Sequence, residues 1–328
     1  MRVLVVTNLT PDRAVPGRGN FVLDQVAGLR EAGVEVELYS FPVGKSGYLP
    51  ATRRIRRLLK RERFDLVHAH YGLAGWCAAL AGARPLAVTF HGTDVRHPVV
   101  GRLSRRLSRR LDLVAAASRA LFEPENGRPG LPIRRQASAV AVLPCGADVE
   151  RFRPGARADA RRRLGLEPDG RYLLFPASPG RREKRHDLAD EVSRLCDAEL
   201  LTVGNSPAER MPDWVNAAAA VLVTSDNEGF GLASVEALAC DVPVLSRPVG
   251  IAPALLGGLE GCLVAPFDAG QWSRLARRHL DTPDPRVRGR ARAEWFESRL
   301  MAERVLCAYR ELLEGTVSAV VPSSRGRG

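Results

Sequence analysis

Short runs of consecutive apolar residues recur along the chain, each followed by a longer stretch in which apolar residues return every three or four positions. The first run, VLVVT at residues 3–7, is apolar almost throughout, as in a strand buried on both faces, and it breaks at Asn8 and Pro11. A loop with Pro11, Pro16, Gly17 and Gly19 follows, then an amphipathic helix that begins near Asn20 and stops at Gly33. The alternation continues with predicted strands over 34–41, 66–70, 86–91 and 113–117, and predicted helices over 52–63, 74–81 and 102–111. Short apolar strands separated by helices indicate a parallel, doubly wound sheet.

The pattern then lapses. Residues 144–163 carry Pro144, Gly146, Pro154 and Gly155 and become polar and Arg-rich, which marks a domain boundary. A second series follows, with strands over 172–175, 200–203, 221–224 and 244–245 and helices over 187–196, 232–239 and 271–280. The last long pattern, over 286–313, is apolar at Trp295, Phe296, Leu300, Val305, Leu306 and Tyr309. A chain of 328 residues exceeds the size at which one core stops growing, so length also favours two domains. The expected architecture is α/β: two facing Rossmann-like doubly wound domains over 1–148 and 149–314, the second including the last long helix, and a disordered tail over 315–328. Ligands of open α/β sheets bind beyond the carboxyl ends of the strands, so a cleft between the domains is the expected site.

Composition removes several alternatives. No run approaches 18 uninterrupted apolar residues, and the apolar start is too short for a signal-peptide core, so a cytosolic protein is expected. Cys77, Cys145, Cys196, Cys240, Cys262 and Cys307 are scattered without metal-ligand spacing and read as reduced thiols. The net charge of +12 is uneven: residues 1–150 hold 23 Lys/Arg against 13 Asp/Glu, whereas 151–328 hold 26 against 24.

The most informative stretch is SDNEGFGLASVEALACDVPVL, residues 225–245. It follows a predicted strand, so Glu228 sits in a strand-to-helix turn where Gly229 and Gly231 let the backbone approach a ligand, and Glu236 lies on the following helix roughly two turns further on. Both carboxylates can accept hydroxyl hydrogen bonds. Two glutamates at this spacing are otherwise read as a solvated helix face.

The stretch reproduces a Glu, seven residues and a second Glu, followed by Ala237, Ala239, Pro243 and Val244, and in this it resembles the retaining glycosyltransferases of family 4, which have the two-domain GT-B fold. PGRGNF, FDLVHAHYG, VTFHGTD, PCGADVERFRP and the terminal EWFESRLMAERVLCAYREL extend the resemblance over most of the chain, the last as a helix that crosses back to brace the first domain. The resemblance implies that Glu236 holds the nucleotide ribose, that Glu228 holds sugar hydroxyls near the reacting carbon, and that Gly229, Phe230, Gly231 and Leu232 line the donor site. It implies that Lys184, in FPASPGRREKRHD, clamps the donor diphosphate; the family's arginine position reads Ser178, so Arg181 or Arg182 is expected to substitute. His91 is implied at the reaction centre, Asp94 and, of the His68/His70 pair, His70 near the acceptor, and the Gly17/Gly19 loop over the donor phosphate. Two positions depart from the family pattern: NAAAA at 216–220 and VGIAPA at 249–254 lack its usual acidic residues.

The function implied is transfer of a sugar from a nucleotide-sugar co-substrate to a hydroxyl acceptor, a glycan, lipid-linked sugar or natural product, with retention and with no metal or other cofactor. A sugar-nucleotide epimerase of the same fold and a nucleic-acid-binding protein are the competing readings. The second fits the basic half but not the sparse aromatics, so no nucleic-acid partner is expected. Residues 51–110 hold 14 Lys/Arg and 3 Asp/Glu, and in 53–63 and 102–111 the arginines fall off the apolar stripe, which raises contact of the first domain with an anionic membrane.

Overall fold

The computed structural model describes residues 1–11, 19–124, 127–132, 139–203 and 206–315, and divides the chain into two compact units. The first, built from 1–10, 19–145 and the chain from 299 onward, holds a six-stranded sheet with the order β2-β1-β3-β4-β5-β6. Its strands are β1 (Arg2–Thr7), β2 (Glu35–Ser40), β3 (Leu66–His70), β4 (Leu86–Phe90), β5 (Leu113–Ala116) and β6 (Ala139–Val142), all parallel. The central strands β3, β4 and β5 are buried at every position and are continuously apolar except for the two histidines and Thr89, whereas the edge strand β2 is partly exposed.

One sheet face is covered by the helices Asn20–Glu31 and Ser298–Glu314, whose Val22, Val26, Leu29, Ala302, Val305 and Tyr309 pack onto Val3, Val5, Leu66, Ala87 and Leu113. The other is covered by the helices Tyr48–Arg61, Gly72–Ala81 and Pro98–Leu107. The middle helix is rich in Gly and Ala because it runs close to the sheet: a Cβ on Gly75 meets the Val88 and Leu107 side chains at 2.8 Å.

The second unit, over 146–298, carries a parallel sheet of β7 (Tyr172–Phe175), β8 (Glu199–Thr202), β9 (Val221–Val223), β10 (Val244–Ser246) and β11 (Leu263–Val264) in the order β11-β10-β9-β7-β8. Phe175, Val192, Leu222, Leu245, Trp272 and Ala276 form its core. Several arginines here are structural. Arg286 donates to Cys240 O and Gly155 O at 3.0 and 2.6 Å, and Arg290 donates to Phe152 O and Ala239 O at 3.0 and 2.9 Å, so guanidinium groups satisfy loop carbonyls that no secondary structure pairs.

The division falls at 145/146, and the helix Ser298–Glu314 groups with the first unit rather than with the second, where the sequence division had put it. The reason is its apolar stripe, which completes the first core, and Tyr309, whose hydroxyl meets His68 Nδ1 at 2.6 Å. The single pattern expected over 286–313 is interrupted: a short helix, Arg290–Glu294, ends before Ser298, and Ser298 N donates to Ala147 O at 3.0 Å. The helix Arg157–Leu164, inside the stretch read as a linker, was hidden because its buried positions include Arg157 and Arg161 instead of an aliphatic stripe. Among the described residues no helix is long and apolar enough to cross a membrane, and of the tail expected to be disordered all but Gly315 lies outside the described residues.

Candidate active site

In the second unit the carboxyl end of β9 passes into a tight polar loop. Thr224 Oγ1 contacts the carbonyls of Lys184 and Arg185, each at 2.9 Å, and Asp226 N donates to Glu183 O at 2.9 Å, so the turn after β7 is tied to the turn after β9. That tie brings Lys184 Nζ to 2.6 Å from Glu228 Oε1, to which Ser225 Oγ also donates at 2.7 Å. Both charged side chains are about 15% exposed, at 15% and 14%, so the pair is shielded yet reachable. Lys184 and Glu228, forty-four positions apart in sequence, are brought together as one charge-neutral unit.

The loop Gly229–Gly231 follows, with Phe230 buried edge-on to Phe296 at 5.5 Å, and Gly231, at φ 99°, opens the helix Leu232–Ala239. Leu232 and Glu236 are half-buried on that helix. Gly250 supports the loop from behind: its φ is 56°, and a Cβ there meets Phe230 O at 2.3 Å and the Glu228 side chain at 2.9 Å. Only glycine fits that approach.

The two expected phosphate-clamp arginines stand apart from the pair. Arg181 is exposed and paired with Glu183 at 2.7 Å, and Arg182 is exposed at the start of a single turn. Two arginines that sequence reading passed over are better held: Arg185 and Arg247 converge on Asp226 at 3.3 and 2.5 Å, and Arg247 also donates to Ser225 O at 3.2 Å. The placement of Arg247 depends on β10 lying beside β9, a pairing that no local motif records.

In the first unit, Leu66, His68 and His70 alternate along β3 toward the face of the helices Asn20–Glu31 and Ser298–Glu314, as do Ala87 and Thr89 on β4, with His91 just beyond its end. His70 Nδ1 lies 3.0 Å from His91 Nε2, and His70 Nε2 lies 3.3 Å from Gln25 Nε2. The Gln25 amide, by its orientation, sets which histidine donates. His91 keeps part of its surface accessible, packs on Phe21 with ring centroids 4.8 Å apart, and has Cys145 Sγ 3.9 Å from Nδ1. Burial pushes the Cys145 thiol up to about 12, so it stays protonated beside the ring.

Two expected acceptor contacts are corrected by burial. His70 has no exposed surface and is enclosed between Gln25 and His91, a place from which it orients the His91 ring. Asp94 is likewise fully buried: Oδ1 accepts from the His91 and Gly92 amides at 2.9 Å each and Oδ2 from the Gly72 amide at 2.9 Å. Its carboxylate shapes the loop that presents His91. Gly19 precedes the first helix at φ 70°, where a Cβ meets Leu9 O at 2.0 Å, so the turn itself demands glycine. Gly17 lies outside the described residues.

The buried histidines make a pH prediction. Burial depresses His68 to about 3 and His70 well below its ordinary 6.5, so both are neutral in the fold, whereas the unfolded chain protonates them near pH 6.5. Their stabilising contribution is therefore complete above pH 6.5 and falls as pH drops below it, by up to about 1.4 kcal/mol per pH unit for each ring. Asp94 acts oppositely, because burial raises it to about 6 and the fold gains by protonating it; this offsets one ring below pH 6. The expected result is a denaturant midpoint that falls steadily from pH 7 to 5. A midpoint flat or rising over that range contradicts it.

Comparison with known proteins accords with this geometry. The model of Glycosyltransferase Family 4 matches residues 15–151 and that of Glycosyl transferases group 1 matches residues 180–294. The chain is 28% identical to the D-inositol 3-phosphate glycosyltransferase of Thermobispora bispora, over 85% of this chain and 78% of that one. It is 30% identical to the protein of the same name from Frankia alni, over 78% and 76%. Among solved structures it resembles sucrose-phosphate synthase from Thermosynechococcus elongatus, with a TM-score of 0.73 at 20% identity over 96% of this chain and 100% of that one. Anabaena HepE, solved in complex with UDP and glucose, follows with a TM-score of 0.67 at 18% identity over 95% and 100%. These structural likenesses bear on the fold alone, and they agree with two parallel-sheet domains of GT-B type.

Proposed function

The chain belongs to glycosyltransferase family 4, the glycosyl transferases group 1, and from that premise we propose that it transfers a sugar from a nucleotide-sugar donor to an acceptor hydroxyl with retention of anomeric configuration and without a metal ion. The observation that carries this reading is the Lys184–Glu228 pair with Ser225, set at the carboxyl end of β9 within the family's paired-glutamate stretch. Lys184 supplies positive charge to the departing diphosphate, the task a metal performs elsewhere. Glu228 accepts hydroxyls of the donor sugar, Glu236 the ribose, and the amides opening the helix Leu232–Ala239 face the phosphates. For His91, the accessible end of the histidine row in the first unit, the family resemblance implies a part in the transfer. The acceptor is a polyhydroxylated molecule; inositol phosphates head the candidates because the relatives' names carry one.

The test is a panel of nucleotide sugars, UDP-linked ones first, against inositol phosphates and other polyols, read by release of free nucleotide. Turnover is expected to survive excess EDTA, and proton NMR of the first-formed product is expected to show the donor's anomeric configuration. An inverted anomer rejects the retaining reading, and loss of activity in EDTA rejects metal independence. Interconversion of the donor sugar without an acceptor identifies an epimerase instead.

A further inference from the structure

The first unit carries a basic surface outside the residues assigned to sugar transfer. The helix Gly72–Ala81 packs on β3 and β4 and is flanked by the helices Tyr48–Arg61 and Pro98–Leu107, so the three form one continuous layer. Tyr48–Arg61 buries Ala51, Ile55 and Leu58 and leaves Arg53, Arg57, Lys60 and Arg61 exposed. Pro98–Leu107 buries Gly101, Ser104 and Leu107 and leaves Arg102 and Arg106 exposed.

Among the described residues no ion pair neutralises these cations. The three acids of residues 51–110 are engaged elsewhere: Asp94 is buried on backbone amides, Glu62 pairs with Arg2, and Asp65 accepts from Arg2 N at 2.7 Å. Among the described residues none of Arg53, Arg57, Lys60, Arg61, Arg102 and Arg106 is in an ion pair. The second unit is equally rich in arginine, yet there exposed cations such as Arg162, Arg163, Arg171 and Arg194 pair with Asp159, Asp213, Asp281 and Asp190. Arg274, Arg277 and Arg278 on the helix Ala269–Leu280 are also exposed and in no ion pair among the described residues, so what sets this layer apart is the number of such cations, six on its two outer helices.

Apolar side chains are interleaved with the cations. Leu80 is 56% exposed and Leu103 39%, and between the helices Trp76 lies under the Arg110 guanidinium at 5.4 Å. Arg56 Nη2 donates to Leu80 O at 2.6 Å, which places a cation directly beside an exposed leucine. Exposed aliphatics among arginines suit a surface where headgroup charge and acyl chain are both present; a soluble polyanion offers only the first.

We propose that this layer docks the protein on an anionic bilayer, its arginines at the lipid phosphates and Leu80 and Leu103 in the headgroup boundary. The experiment is flotation of the full chain with phosphatidylcholine vesicles, with and without phosphatidylglycerol, and retention on dextran sulfate as a soluble polyanion. Binding is expected only with the anionic lipid, falling as added salt shortens the Debye length below ~10 Å. The variant Arg57→Glu/Lys60→Glu/Arg102→Glu/Arg106→Glu is expected to bind on the order of 10³-fold more weakly, since each of the four cations near such a surface is worth roughly fivefold. All four side chains are exposed, so circular dichroism is expected to report an intact fold. Leu80→Asn/Leu103→Asn is expected to weaken vesicle binding and leave dextran sulfate retention unchanged. Equal binding to neutral vesicles, or a charge-reversed variant that binds like the wild type, overturns the proposal. Retention on dextran sulfate without vesicle binding also overturns it, in favour of a soluble anionic partner.

Discussion

Lys184→Ala is expected to lower turnover by a factor on the order of 10²–10³ while the protein stays folded, the size of effect that follows when one positioned charge is removed from a transition state. The positioning is visible in the backbone. Lys184 N donates to Arg181 O at 2.9 Å, its carbonyl meets Thr224 Oγ1 at 2.9 Å, and its ammonium is fixed on Glu228. A cation held this firmly needs little reorganisation when negative charge develops on a leaving diphosphate. Lys184→Arg restores the charge but not the compact ammonium, and is expected to recover only part of the rate. The double variant Lys184→Ala/Glu228→Gln is expected to be far less impaired than the product of the two single effects, because the pair acts as a unit. A normal rate for Lys184→Ala moves the positive charge to Arg185 and Arg247, the arginines that meet at Asp226.

Most of the architecture is readable in the sequence, because parallel strands buried on both faces leave unbroken apolar runs. β3 and β7 coincide with the runs at 66–70 and 172–175, and the helix at 232–239 has the predicted bounds. Of the missed elements, β6 is a short apolar run, Ala139–Val142, next to the stretch read as a boundary, and two others lack such a signal. β11 has only Leu263 and Val264, and the helix Arg157–Leu164 buries arginines whose partners are carbonyls such as Ala217 O, 56 positions away. The site shows the same split. Glu228, Glu236 and Lys184 are singled out by family motifs, and the structure brings Lys184 and Glu228 together, whereas Gly250, Arg247 and the Gln25–His70–His91 row arise only through strand order and packing. Asp94 was misread for the same reason: a carboxylate next to a strand-end histidine looks alike in sequence whether it faces a ligand or three buried amides.

Glu228→Gln and Glu236→Ala are expected to separate kcat from donor affinity. Gln keeps the shape of Glu228 and the contact with Ser225 but removes the charge facing Lys184, so the sugar loses its carboxylate and the lysine loses its partner. Turnover is expected to fall by a factor on the order of 10²–10³. Donor KM is expected to change little, because the contacts proposed for the ribose and the diphosphate in the ground state are left in place. Glu236 lies one step further along, half-buried on the helix Leu232–Ala239 whose Val235, Ala237 and Leu238 anchor it in the core. Its loss leaves that helix packed and removes a charge-assisted hydrogen bond to the ribose, about 1.5–3 kcal/mol, or roughly 10–150-fold in nucleotide affinity. Calorimetry with the free nucleotide measures that loss without turnover, and initial rates at saturating donor measure kcat for each variant. If the two substitutions give equal, mild changes in both quantities, Glu228 and Glu236 do not divide the sugar and the ribose between them, and the carboxylate that meets the reacting sugar lies elsewhere.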